Sequence, residues 1–141
     1  MKKVIRLLFY VLAACLLAFS CTKTDSNTFA LLGNWELIKT EISANGETRT
    51  VYPQDIITRV EFSSKDEYTW VEVSIGGITT RSGKWYVDEE TVVLTQASGD
   101  PRVFDIVETS LSRLVLRETL TVDGVTTVYT DTYKYITKEE E

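Results

Sequence analysis

The sequence predicts an all-β protein, an antiparallel meander of eight to nine strands closed into a small barrel and preceded by an N-terminal signal segment. A β-sandwich is the alternative. Beyond residue 30, apolar and polar residues alternate with a period of two, which turns one face of each strand toward a core. Turn residues interrupt the alternation about every 8–13 positions. Twenty threonines, with many valines and tyrosines, suit the pleated, half-buried surface of a sheet.

Residues 1–20 are typical of a secretory signal peptide. Lys2, Lys3 and Arg6 make a positive start, and a mostly apolar run then extends from Leu7 to Phe19. Thirteen residues of helix span about 20 Å, less than the ~30 Å hydrocarbon core of a bilayer. The run therefore has the length of a signal h-region and is shorter than a typical membrane-spanning helix.

The chain becomes polar at Ser20 and Cys21. The segment Ala18-Phe19-Ser20-Cys21 resembles a lipobox, the signal read by lipoprotein signal peptidase, although Phe19 is larger than the residue that the pattern prefers. This resemblance implies acylation of Cys21, attachment to the membrane through N-terminal acyl chains, and placement in the outer membrane, because Thr22 follows in place of an aspartate. Leu12-Ala13-Ala14-Cys15 matches the lipobox better by letters but leaves an h-region of only six residues. Cys15 stays the alternative processing site, and an ordinary cleavable signal is a third possibility.

The remainder of the chain divides into three parts. Residues 21–30 are predicted to be the lipidated cysteine and a polar tether, residues 31–137 the β-barrel domain, and residues 138–141 an acidic tail. Asn45-Gly46 and Asp123-Gly124 favour two-residue hairpin turns, because both central positions of such turns need positive φ. The predicted strands are Trp35–Ser43, Glu47–Tyr52, Ile57–Ser63, Tyr68–Ser74, Ile78–Val87, Thr91–Gln96, Arg102–Glu108, Leu114–Thr121 and Val125–Thr137.

Charge and composition exclude several classes of function. Without residues 1–20 the chain has 12 basic and 21 acidic residues, a net charge of −9 that opposes binding to nucleic acid. It has no histidine, and no cysteine after Cys21. The domain therefore lacks the commonest general base and zinc ligand, and it lacks a thiol nucleophile. We expect a protein with no cofactor, no metal and no catalytic activity, and we expect a monomer.

The segment Leu32-Gly33-Asn34-Trp35-Glu36-Leu37 resembles the opening of the lipocalin superfamily, in which a Gly-x-Trp begins the first strand. Gly83-Lys84-Trp85-Tyr86-Val87 and Val92-Val93-Leu94-Thr95 are similar to later pieces of the short lipocalin-like domains of bacterial lipoproteins. The resemblance implies a lipocalin-like barrel whose floor is closed by the Trp35 indole. A late arginine covers this tryptophan in the classical family, and Arg113 and Arg117 are the candidates here. A ligand-binding role follows from this resemblance by analogy of fold.

Strand parity identifies the side chains that can point into the barrel. Glu72, Glu118 and Asp131 share faces with aromatic or leucine residues, so they are either charges at the rim or surface, or polar groups at the mouth of a cavity. An aromatic set is either core or the lining of a ligand cavity. This candidate ligand-binding set is Phe62, Tyr68, Trp70, Trp85, Phe104, Tyr129 and Tyr133. Two main hypotheses follow: a lipid-anchored envelope protein that binds a small apolar or amphipathic molecule, or a structural lipoprotein with a filled barrel that contacts another envelope protein. A third hypothesis, an enzyme, would need two of Glu72, Glu118 and Asp131 to converge in a cleft.

Overall fold

The computed structural model describes residues 28–137, which form a helical turn at residues 28–31 and nine antiparallel strands. Every strand lies within two residues of its predicted bounds at both ends, so the predicted all-β fold is confirmed. The strands are β1 (Gly33–Ala44), β2 (Glu47–Val51), β3 (Ile57–Phe62), β4 (Glu67–Ser74), β5 (Gly77–Asp88), β6 (Thr91–Thr95), β7 (Arg102–Thr109), β8 (Arg113–Val122) and β9 (Val125–Ile136).

Eight strands close into a barrel, and β2 lies outside it. Each of β3 to β8 pairs with the next strand in the chain, and β1 pairs with both β3 and β9, which closes the ring. The remaining strand, β2, pairs with the C-terminal half of β1. Closure leaves few free backbone edges, which otherwise invite aggregation. Residues 33–136 complete the ring, so we expect the chain from residue 22 to fold by itself.

The first strand contains a β-bulge that changes which of its side chains face inward. In the pairing of β1 with β9, Leu37 lies opposite Tyr133 and Thr40 lies opposite Asp131, and Ile38 has no partner. Tyr133 and Asp131 are two residues apart on one face of β9, so Leu37 and Thr40 both face the interior although they are three apart. The bulge therefore brings a hydroxyl into the barrel at position 40.

The helical turn and the Gly-x-Trp segment close one end of the barrel. The buried Trp35 indole donates a hydrogen bond to the Leu31 carbonyl (2.9 Å), as the resemblance implies for a floor tryptophan. The ring beside it belongs to Tyr135, whose centroid lies 5.3 Å away in an edge-to-face arrangement. Arg113 and Arg117 instead pair with Glu108 and Asp105. In the classical family an arginine near the end of the chain covers this tryptophan, whereas here the ring of Tyr135 lies against it.

The second Gly-x-Trp segment packs at the same end. Trp85 donates a hydrogen bond to the Ser63 carbonyl (3.1 Å) and its ring meets that of Phe62 at 5.1 Å. A Cβ atom on Gly83 would lie 2.0 Å from the Thr95 carbonyl oxygen. Glycine at 83 therefore lets the end of β6 cross close to β5, and this contact explains the glycine two residues before the tryptophan.

Candidate functional site

The predicted aromatic set lies on the inner face of the barrel, and most of it is core. Six of the seven side chains are buried, and the seventh, Tyr129, is half-buried nearer the open end. Two pairs within the set meet edge to face: Trp70 with Tyr133, with ring centroids 6.4 Å apart, and Phe62 with Trp85. The buried members are Phe62, Tyr68, Trp70, Trp85, Phe104 and Tyr133. Contact of these side chains with a ligand stays a prediction.

Above this aromatic core, an ion pair crosses the interior between β7 and β8. Arg102 donates two hydrogen bonds to the Glu118 carboxylate, from Nε (3.0 Å) and from Nη2 (2.8 Å). The guanidinium also lies 5.5 Å from the Trp70 ring centroid and 5.0 Å from that of Phe104. The hydrogen bond to Glu118 raises the pKa of Arg102, against the opposing effect of burial. Two-point contact and ring stacking together fix the position of the cation.

A second polar group, formed by Asp131, Thr40 and Tyr133, lies beside this pair. Asp131 accepts a hydrogen bond from the Thr40 hydroxyl (2.7 Å) and a longer one from the Tyr133 phenol (3.4 Å). Burial raises the pKa of Asp131, and the two hydrogen bonds oppose that rise. Burial and the nearby Asp131 charge raise the pKa of Tyr133 well above its ordinary value. Tyr133 is therefore a neutral hydrogen-bond donor at any physiological pH.

The third inward carboxylate, Glu72, lies at the open end and lines a cavity. Its Oε1 atom accepts a hydrogen bond from the Trp70 indole (3.3 Å), which links the carboxylate to the aromatic core. The cavity holds about 240 Å³, slightly below the ~300–1,000 Å³ of sites for drug-sized ligands. We call it the mouth cavity, and its lining is Leu37, Thr40, Val51, Pro53, Ile56, Thr58 and Glu72.

Strand parity identified three of the four charged side chains described at this site, and it missed Arg102. Glu118 is buried, and Asp131 and Glu72 are half-buried, so all three lie at the interior or the mouth of the barrel. Parity missed Arg102, although it shares a face of β7 with Phe104 and Ile106 and that alternation was available as a signal. Basic residues at strand ends usually point to solvent, and the partner of Arg102 lies 16 residues away along the chain.

The arrangement presents hydrogen-bond acceptors, one fixed cation and apolar walls, a combination suited to binding a small molecule that has a polar group. No cluster of three or more metal-binding side chains occurs among residues 28–137. Within the same range no helix is long and apolar enough to cross a membrane. Cys15, Cys21, the rest of the predicted signal peptide, most of the tether and the acidic tail lie outside the described residues.

Comparison with known proteins identifies relatives of the fold. The sequence pattern of the family described as "Lipocalin-like domain" matches residues 31–116, which is more than half of the chain. Lobster apocrustacyanin A1 is 12% identical in sequence, with a TM-score of 0.52 over 84% of this chain and 69% of that one. At this identity, the likeness shows a shared fold.

Two further solved structures are similar at lower TM-scores. Bovine odorant-binding protein in complex with a selenium-containing odorant is 18% identical, with a TM-score of 0.49 over 80% of this chain and 74% of that one. The siderocalin Ex-FABP is 15% identical, with a TM-score of 0.48 over 78% of each chain. No match was found among curated protein sequences.

Proposed function

Because this chain belongs to the family of lipocalin-like domains, we propose that it is a non-catalytic, lipid-anchored envelope protein whose barrel holds a small apolar or amphipathic molecule at its open end. The lipocalin-like fold commonly binds small hydrophobic ligands. The observation that carries the proposal is the mouth cavity, where Leu37, Val51 and Ile56 supply apolar wall and Glu72 supplies a polar group. Below it the aromatic core fills the barrel, so the ligand occupies the upper part.

The anchor and the mouth lie at opposite ends of the barrel in this proposal. The described chain enters at the closed end, where residues 28–31 pack beneath Trp35. The mouth cavity lies at the other end, beneath the loop that carries Pro53 and Ile56. Seven residue steps separate Cys21 from Thr28 and span at most about 25 Å. Acyl chains on Cys21 would therefore hold the closed end near the bilayer and leave the mouth facing away from it, accessible from solvent.

Two neighbouring isoleucines allow a matched test of ligand binding. Ile56 lines the mouth cavity and is 50% exposed, whereas Ile57 lies on the outer wall and is 47% exposed. The chain from residue 22 is purified from its own host and examined by native mass spectrometry for a bound small molecule. We expect such a molecule on the native chain and on Ile57→Trp, and its loss from Ile56→Trp, whose indole fills the cavity. An empty native chain whose melting temperature no lipid or metabolite shifts would refute the binding function.

The anchor has its own test, with Cys15 as the control position. Cells are labelled with palmitate and fractionated after expression of the native chain, Cys21→Ala or Cys15→Ala. We expect the label and the membrane association to be lost in Cys21→Ala alone, because one thiol carries the diacylglyceryl group. Two or three acyl chains hold a protein on a bilayer essentially permanently. Label retained by Cys21→Ala and lost by Cys15→Ala would move the processing site to Cys15, and no label in any chain would refute the lipoprotein assignment.

A second candidate function, contact with another envelope protein, is favoured by a row of exposed apolar residues on the outer wall. Ile57 pairs with Val73, and Val73 pairs with Ile78, so these three side chains form one cross-strand row. Ile75, in the adjacent turn, is 97% exposed. A photo-crosslinking residue at Ile78 should then capture one defined envelope protein in living cells, and the same residue at Thr48 on β2 should not. Equal capture at both positions would remove this candidate.

A further inference from the structure

The charge inside the mouth cavity indicates which class of molecule it binds. Of the seven described residues that line it, Glu72 alone carries a charge, and the others offer alkyl groups, a proline ring and two hydroxyls. The Glu72 carboxylate is half-buried and accepts one hydrogen bond in the described part of the chain, from Trp70. No ion pair to it forms within residues 28–137. A carboxylate in this position retains acceptor capacity for a further donor or a cation.

The interior cation that hydrogen bonds hold in place, Arg102, already has an anionic partner. Arg102 makes both of its hydrogen bonds to Glu118, and Asp131, held by Thr40, contributes a further acidic group. Among the interior side chains of residues 28–137 with a hydrogen-bonded or half-buried charge, one guanidinium, that of Arg102, thus faces the three carboxyl groups of Glu72, Glu118 and Asp131.

Two other arginines lie near the mouth on the same faces as interior groups: Arg81 pairs across the strands with Trp70, and Arg49 is two residues from the cavity residue Val51 on β2. Both are exposed, and within the described chain neither forms an ion pair with Glu72. Because water screens exposed charges strongly, their effect on a group inside the cavity is smaller than that of Glu72 itself.

We propose that the mouth cavity selects a small monocationic amphiphile, with its ammonium group against the Glu72 carboxylate and its alkyl part against Leu37, Val51 and Ile56. This inference rests on the proposed binding function and adds the charge of the ligand. An anionic head group would be repelled by Glu72 and would lose its hydration without a partner in the cavity. A neutral head group would leave the carboxylate without an ionic partner. A cation gains both the apolar contact and the ion pair.

Three probes with the same alkyl chain separate charge from apolar contact: octylammonium, 1-octanol and octyl sulfate, each below its micelle concentration. Their binding to the chain from residue 22 is measured by titration calorimetry. We expect octylammonium to bind about tenfold more tightly than 1-octanol, the factor that corresponds to about 1.4 kcal/mol for one partly desolvated ion pair. Octyl sulfate should bind more weakly than either.

Glu72→Gln removes the charge and keeps the shape of the side chain. We expect this variant to bind octylammonium about as weakly as 1-octanol, with the affinity for 1-octanol unchanged. Glu61→Gln is the matched control, because Glu61 is an exposed glutamate on the outer wall, and it should change neither affinity. Circular dichroism and the melting temperature establish that both variants are folded.

The outcomes separate this inference from the function on which it rests. If all three probes bind native protein equally, or if octyl sulfate binds best, the cavity binds amphiphiles but the inferred charge selectivity is wrong. If octylammonium is preferred by the native chain and by Glu72→Gln alike, the preference comes from another carboxylate and the role of Glu72 is refuted. If no probe binds, the inference fails, and native mass spectrometry of the chain from residue 22 decides the proposed binding function separately.

Discussion

The Arg102–Glu118 pair should be among the strongest polar couplings in the described barrel. Glu118 is 7% exposed and accepts two short hydrogen bonds from one guanidinium, so removal of Arg102 leaves a buried carboxylate without its partner. Breaking a fully buried pair costs about 3–5 kcal/mol. The Arg102 side chain is 41% exposed, which admits water and reduces the penalty. We therefore expect Arg102→Met to lower the free energy of unfolding by about 2 kcal/mol.

The double variant separates the interaction energy of the pair from the separate contributions of the two side chains to stability. Glu118→Met should cost about 1 kcal/mol, because the remaining guanidinium can still be hydrated. The variant that carries both substitutions should also lose only about 1 kcal/mol, since two apolar side chains can pack where the ion pair stood. The coupling energy is then about 2 kcal/mol in favour of the pair. For a domain of this size, Arg102→Met should lower the melting temperature by about 8–10 °C.

Urea unfolding followed by tryptophan fluorescence measures these free energies, because Trp35, Trp70 and Trp85 are all buried. The control is a second double-variant cycle on the same two strands. Arg117 of β8 pairs with Asp105 of β7 on the outer wall at 3.3 Å, with both side chains 47% exposed. Exposed pairs contribute about 0.2–1 kcal/mol, and we expect a value near the lower end. If the inner cycle gives a coupling no larger than the outer one, the argument from burial is refuted.

Three further predictions concern single positions. Gly83→Ala should lower the free energy of unfolding by about 2–3 kcal/mol, because the added Cβ would lie 2.0 Å from the Thr95 carbonyl oxygen. In the control Gly76→Ala the nearest contact is 3.7 Å, so the loss should be under about 1 kcal/mol. Equal melting temperatures of the two variants would contradict this prediction. Burial raises the pKa of Asp131 above its ordinary 3.8. At neutral pH the ionised carboxylate therefore lowers the free energy of unfolding, and this loss of stability is recovered as the pH falls through the raised pKa. Urea unfolding should therefore show native protein gaining stability relative to Asp131→Asn between neutral pH and pH 3.8, and a constant difference would refute the assignment. Because the pKa of Tyr133 is raised in the folded state, this residue contributes stability below pH 10.0 that is lost at higher pH. An absorbance titration should therefore show one tyrosine that ionises only when the protein unfolds. The variant Tyr133→Phe should lack that step.

The strands were predictable because every one of them obeys local rules. Alternation of apolar and polar residues, β-branched side chains and turn residues all indicated the same elements, and Asn45 and Asp123 have the positive φ of 51° and 52° that their turns require. Closure of the barrel also followed, because a meander of this length otherwise leaves two long open edges. The fold was thus determined mainly by signals within short stretches of sequence.

The site was predictable only in part, because it depends on contacts between distant strands. Parity placed Glu118 on the inner face but could not supply Arg102 as its partner. The bulge at Ile38 is a feature of the pairing between β1 and β9, and it moves Thr40 to the face opposite the one that simple alternation from Trp35 assigns. Thr40 thereby reaches Asp131, 91 residues later in the chain. Tyr135 over Trp35 is likewise a contact of paired strands.

The interior changes character along the barrel axis, and this change argues for a function at the open end. The closed half consists of aromatic and aliphatic side chains, and the indoles of Trp35 and Trp85 donate hydrogen bonds to backbone carbonyls there. The open half contains Arg102, Glu118, Asp131 and Glu72 on inward faces, where apolar residues of similar volume would often be as stable or more so. In the function that we propose, these charged groups select the ligand, because a wrong ligand would leave them without a partner. A barrel with Met at both 102 and 118 should therefore keep most of its stability, and an altered preference among the three octyl probes would identify the ion pair as part of the recognition site.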